Sequence, residues 1–148
     1  MRHILFLDFD GVLHAESDMR FARMPQFAAC VAALPALEIV ISSTWRSMRP
    51  ISQLQEAFPP AIRMRVIGGT PSLPRAHTLQ GGIRQREIEA WLENNRINHS
   101  NGHWIALDDR AELFDPDCPY LLLHDGRRGF GEREAALLTR WYQQQQTA

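Results

Sequence analysis

At 148 residues the chain has room for one domain with one sizeable core. A composition of 45% hydrophobic and 22% charged residues excludes an intrinsically disordered protein. A formal net charge of −1 excludes a strong overall field toward nucleic acid or anionic membrane, but leaves local arginine clusters open.

The first element is the apolar run Ile4-Leu5-Phe6-Leu7, as expected for a strand buried on both faces of a parallel sheet. Arg2 before it gives a superficial signal-peptide look, but Asp8 and Asp10 cut the run short and no small-residue cleavage site follows. Residues 14 to 24 read as a loop or small flap. Pro25 opens a helix with Phe27, Val31 and Leu34 on one face, and Pro35 stops it. Ile39-Val40-Ile41 is a second buried strand, ending in Ser42-Ser43-Thr44.

Pro50 introduces a short helix that turns Ile51, Leu54 and Phe58 inward and closes at Pro59-Pro60. Met64, Val66 and Ile67 read as a third strand before Gly68-Gly69, and residues 68 to 82 form a long loop rich in Gly and Pro. From Ile83 to about Asn95 the pattern is an amphipathic helix, with Ile83, Glu87 and Trp91 stacked and Ile88 and Leu92 beside them. Trp104-Ile105-Ala106-Leu107 is a fourth strand, cut off by Asp108-Asp109, and Tyr120 to Leu123 is a fifth. Glu132 to about Gln143 closes the chain as a helix, and the Gln143–Gln146 run reads as a frayed, low-complexity tail. One domain over residues 1–142, with a tail over 143–148, is the expected organisation.

Alternating strands and helices imply an α/β fold: a parallel sheet of about five strands covered on both faces. In such sheets ligands bind at the carboxyl ends of the strands. Three apolar runs end there in concentrated polar chemistry: Asp8-Phe9-Asp10-Gly11, Ser42-Ser43-Thr44 and Asp108-Asp109, with Arg84 within reach of the same edge. On extended backbone Asp8 and Asp10 point the same way, and Gly11 lets the chain turn just beyond them. Crowded carboxylates need a cation or a proton between them, so one can stay ionised on a metal while the other serves as a general acid. Magnesium suits such an oxygen-rich site better than zinc. Ser43 and Thr44 offer hydroxyls to phosphoryl oxygens, and Arg84 offers a planar fork. Taken singly, each pattern also describes ordinary structure: solvated acids, a helix cap, a turn, a surface arginine. Their convergence is what points to a site.

In order, Asp8-Phe9-Asp10-Gly11-Val12-Leu13, Ile41-Ser42-Ser43-Thr44, Arg84 and Leu107-Asp108-Asp109 resemble the motifs of the haloacid dehalogenase (HAD) superfamily of phosphatases, over nearly the whole chain. Ser43-Thr44-Trp45-Arg46 and the Arg84, Glu87-Ile88, Trp91-Leu92 pattern are similar to small HAD domains of RNA-repair proteins. The resemblance implies a three-layer Rossmann-like fold. It also implies a magnesium-dependent phosphohydrolase with Asp8 as nucleophile and Asp10 as general acid/base. It gives Ser43 the phosphoryl oxygens, with Thr44 or Ser42 as alternates in register. Arg84 stands where most of the superfamily has lysine, with Arg86 as substitute. Magnesium is assigned to Asp8, the backbone carbonyl of Asp10, and Asp108 or Asp109.

Residues 12 to 37 and 85 to 103 are too short to fold a cap domain, so the site is expected to be open. An open site suits phosphate on a large molecule such as a nucleic-acid end or a protein. Arg20, Arg23, Arg46, Arg49, Arg75, Arg127 and Arg128 are candidates to line it. The same residues would also serve a phosphotransferase, or a phosphate- and magnesium-binding regulatory domain without turnover. His14, His77, His99, His103 and His124 show no zinc spacing, and Trp45, beside the second motif, is a candidate for substrate contact. No apolar stretch approaches the roughly 20 residues that span a bilayer, so no membrane partner is expected. Cys30 and Cys118 form no metal spacing or disulfide framework, which fits a cytoplasmic location.

Overall fold

A computed structural model describes residues 1–15, 17, 20–74 and 81–147. His77 and Arg75 lie outside the described residues. Five strands, β1 (Arg2–Leu7), β2 (Leu37–Ile41), β3 (Val66–Gly69), β4 (Gly102–Asp108) and β5 (Leu121–Leu123), form one sheet in the order β3-β2-β1-β4-β5. Every pairing is parallel. The helices are α1 (Met24–Ala32), α2 (Ile51–Gln55), α3 (Pro60–Arg63), α4 (Ile83–Asn94) and α5 (Glu132–Thr147).

Period-two alternation on β1 divides the core into two layers. Leu5 and Leu7 point into one cluster with Phe27 and Val31 of α1, Leu54 of α2, Ile62 of α3, and Leu138 and Tyr142 of α5. Ile4 and Phe6 point the other way, against Ile88, Trp91 and Leu92 of α4. Both faces of the sheet are covered, unequally, by four helices and one. That is why β1 reads as a continuous apolar run rather than an alternating one.

Three local expectations are revised. Pro59-Pro60 does not only end a helix: Pro60 occupies the first turn of α3, where its missing N–H costs nothing. Gly68 and Gly69 belong to β3 rather than to the loop after it. The glutamine run continues α5 to Thr147, and Gln146 Nε2 meets His3 Nε2 at 2.7 Å at the opposite end of the chain. Among the described residues no second folded unit interrupts the sheet, and no helix is long and apolar enough to cross a membrane.

Candidate active site

Strand register brings the polar residues together. Leu7 on β1 pairs with Ile41 on β2 and with Leu107 on β4, so the residues that follow leave the sheet at one level. The Asp8 N–H donates to Leu107 O (3.1 Å), and the Ser42 N–H donates to Leu7 O (2.9 Å). Asp8, Ser42 and Asp108 thus form a row across three neighbouring strands, at the edge where open parallel sheets bind ligands.

Oxygen atoms of Asp8, Asp108 and Asp109 all lie within 4.8 Å of one another. Asp8 and Asp108 are buried and Asp109 half-buried. Arg84, in the first turn of α4 and 6% exposed, points into this group. Its Nη1 lies 2.6 Å from Asp108 Oδ2 and 3.4 Å from Asp8 Oδ2. The other oxygen of Asp108, Oδ1, accepts the backbone N–H of Arg110 at 3.0 Å. Neither Asp108 nor Asp109 caps the 3-10 turn at Ala111–Leu113, which starts from Arg110 with no side-chain cap.

Burial pushes the Asp8 carboxyl up to about 8; neighbouring Asp108 and Asp109 add to this, while Arg84 and the Phe9 N–H oppose it. For Arg84 burial disfavours the charge, yet the pull of Asp108 and Asp8 outweighs it and raises its pKa. Arg84 faces the two buried carboxylates of Asp8 and Asp108 in a largely desolvated place, with the Asp109 carboxylate beside them. The donors are all carboxylate oxygens, the set that a hard divalent cation such as magnesium takes, so these residues fit the ion that the motif implies. Among the described residues this is the one cluster of metal-ligating type.

Gly11 makes the close approach of Asp109 workable. Its φ of +79° suits glycine, and a Cβ built there would overlap the Asp109 carboxylate. Asp10, two residues from Asp8, keeps its side chain 44% exposed, between two ring nitrogens: Oδ1 is 2.7 Å from His14 Nε2, and Oδ2 accepts Trp45 Nε1–H at 3.2 Å. Ser43 is buried, and its Oγ accepts the Trp45 N–H at 3.3 Å. Ser42 Oγ is buried with no hydrogen-bond partner. Thr44 is exposed at the start of the 3-10 turn Thr44–Ser47. Arg86 turns away from the acids, toward Glu89 and Asp115.

Some of the site was not apparent from the motifs. Arg46, expected to line the surface, is half-buried. Its Nη2 pairs with Glu87 of α4 at 2.9 Å, while its other nitrogens donate to the carbonyls of Ser43 and Thr70 at 2.8 and 2.7 Å. The pair ties the Ser43 turn to the helix that carries Arg84. A glutamate on the apolar face of α4 was the available signal, since a buried carboxylate needs a partner. Trp45, a candidate for substrate contact, reaches Asp10, and His14 joins it there; a lone histidine gave no such signal. Arg20, Arg23, Arg49, Arg127 and Arg128 are exposed.

A family model described as "HAD domain in Swiss Army Knife RNA repair proteins" matches residues 4–135. Neither the curated proteins nor the solved structures gave a match.

Proposed function

Because the chain belongs to the HAD domains of Swiss Army Knife RNA repair proteins, a phosphohydrolase-type family, we propose that it hydrolyses phosphoric monoesters through an aspartyl-phosphate on Asp8, with magnesium as cofactor. The observation that carries this reading is the meeting of Asp8, Asp108 and Asp109 within 4.8 Å beside the buried Arg84.

Asp8 attacks phosphorus in line, and the bond to the leaving oxygen breaks as Asp10 gives that oxygen a proton. Asp10 then takes a proton from water, which attacks the aspartyl-phosphate, releasing phosphate and restoring Asp8. Ser43 holds the phosphoryl oxygens, with the unpartnered Ser42 hydroxyl and exposed Thr44 as alternates. Arg84 balances charge on Asp8 and on the transferring group, where most of the rate gain arises. Asp8 and the Asp10 carbonyl, with Asp108 or Asp109, would hold magnesium, since the oxygens of all three acids meet at one place. A bound magnesium supplies charge neutralisation for the acids and for the phosphoryl oxygens.

The substrate in this reading is a phosphate on a large molecule, an RNA end. Two observations support this: the family description, and the lack of an inserted cap unit among the described residues. The test is phosphate release from an aryl phosphate and from RNA, DNA and peptides with phosphate groups, with and without magnesium, beside Asp8→Asn. Magnesium-dependent, vanadate-sensitive release lost in Asp8→Asn, with RNA ends preferred, is expected. Equal rates in Asp8→Asn would end the nucleophile role, and activity unchanged by EDTA would remove the metal. Transfer to alcohol acceptors would make the chain a phosphotransferase, and magnesium binding without turnover would make it regulatory.

A further inference from the structure

Asp10 keeps its side chain partly exposed, and a general acid on a short side chain needs its carboxyl plane fixed toward the leaving oxygen. Resting on the hydrolase reading above, we propose that His14 and Trp45 are positioning residues that clamp the Asp10 carboxylate, with Phe21 seating His14.

Each Asp10 oxygen has its own neighbour: His14 Nε2 at Oδ1 (2.7 Å) and Trp45 Nε1 at Oδ2 (3.2 Å). The indole N–H of Trp45 can only donate, and His14 Nε2 can donate to the other oxygen when it carries the ring hydrogen. The far nitrogen, His14 Nδ1, is buried without a partner, which suits a bare lone pair and disfavours a second N–H there. His14 is completely buried, and a single backbone bridge joins it to Asp10. An imidazole enclosed in this way, with one nitrogen left unsatisfied, costs stability that packing alone does not explain.

The surroundings leave His14 little freedom. Phe21 lies edge-on to it, ring centroids 5.0 Å apart, and also packs edge-on against Phe9 (5.6 Å) and Trp45 (5.5 Å). Phe21 holds a backbone φ of +54°, a conformation that bulky residues rarely adopt and that persists only where neighbours over-determine it. Trp45 is fixed independently: its N–H donates to Ser43 Oγ and the Arg49 guanidinium lies 5.7 Å from its ring centre. Through Trp45 the turn that carries Ser43 and the acid beside the nucleophile share one alignment. Donors from two separate loops thus set the acid's direction before substrate arrives.

The test is the dependence of kcat/KM on the leaving group, which reports the step in which Asp10 donates its proton. His14→Ala and the milder Trp45→Phe should lower kcat/KM for an alkyl phosphate about tenfold more than for p-nitrophenyl phosphate, whose leaving group needs little protonation. His14→Gln, which keeps an N–H donor, should recover part of the loss. A uniform loss across leaving groups would overturn the clamp and leave His14 a packing residue. A wild-type chain inactive on every ester would instead count against the hydrolase reading. The clamp would then be judged on the Trp45 indole N–H resonance, which should shift in Asp10→Ala and in His14→Ala. A resonance unmoved in both variants overturns it.

Discussion

Arg84 sits closer to Asp108 than to the proposed nucleophile Asp8, 2.6 Å against 3.4 Å, so its main ion pair is with a residue on the neighbouring strand. Arg84→Ala removes the guanidinium that lies against both Asp8 and Asp108. It is expected to lower stability by about 3–5 kcal/mol in urea unfolding, the usual cost of orphaning a buried charge. The rate should fall about 100-fold or more, as when a donor to the developing charge is lost. Arg84→Lys should restore part of both, because a single nitrogen, Nη1, makes both contacts and an ammonium can stand in its place without the rest of the planar guanidinium.

The raised pKa of Asp8 has a definite sign in stability. Without metal the native state keeps a proton on Asp8 up to about pH 8, whereas the ordinary value is 3.8. Between those values the unfolded chain binds fewer protons than the native one, so the Asp8 contribution falls as pH rises through this window. Above pH 8 it is flat. Asp8→Asn, neutral at every pH, is expected to raise the metal-free melting temperature at pH 8 by on the order of 5 °C, with a smaller gain at pH 5. Calorimetric scans at the two pH values check this, and an equal gain at both would sink it.

Gly11→Ala tests the fit between the first and last acidic motifs. The added methyl overlaps the Asp109 carboxylate, and the φ of +79° is strained for alanine. A fall in stability of about 1–3 kcal/mol is expected, with weakened magnesium binding because Asp109 must move. Titration calorimetry with magnesium alone separates the two effects; unchanged affinity would show that Asp109 does not need its present place.

Arg46 and Glu87 form a buried pair whose worth a double-mutant cycle can measure. Arg46→Met or Glu87→Gln alone should each cost about 3 kcal/mol or more, since each leaves a buried group uncompensated. The double variant should be much less destabilised than the sum of the two. Strict additivity in chemical unfolding would mean that the pair is not coupled in solution.

The sequence showed best what depends on a short, local pattern. Apolar runs ending abruptly in Asp8, Ser42 and Asp108 marked three strand ends, and parallel register then aligned them without further information. The α/β fold and the family followed from the same stretches. Links between distant parts of the chain were hidden. Nothing near Asp10 announces Trp45, and Glu87 reads as one more polar residue on a helix until Arg46 arrives from another loop. Local chemistry was ambiguous at Pro59-Pro60, because proline both ends one helix and begins the next. The glutamine run gave no apolar period although glutamine is a good helix former, and only the contact of Gln146 with His3 distinguishes a docked helix from a loose end.

Placing the nucleophile's strand in the middle of the sheet has a bearing on how the molecule breathes. β1 is laddered on both sides, to β2 and to β4, while the outermost strands, β3 and β5, have only four and three residues and one neighbour each. Transient opening therefore begins at the rim, where amide protons exchange first, and reaches the middle only when most of the domain comes apart. Asp8 thus stands on the longest-lived ground in the protein, and its alignment with Asp108 can persist while the margins fluctuate.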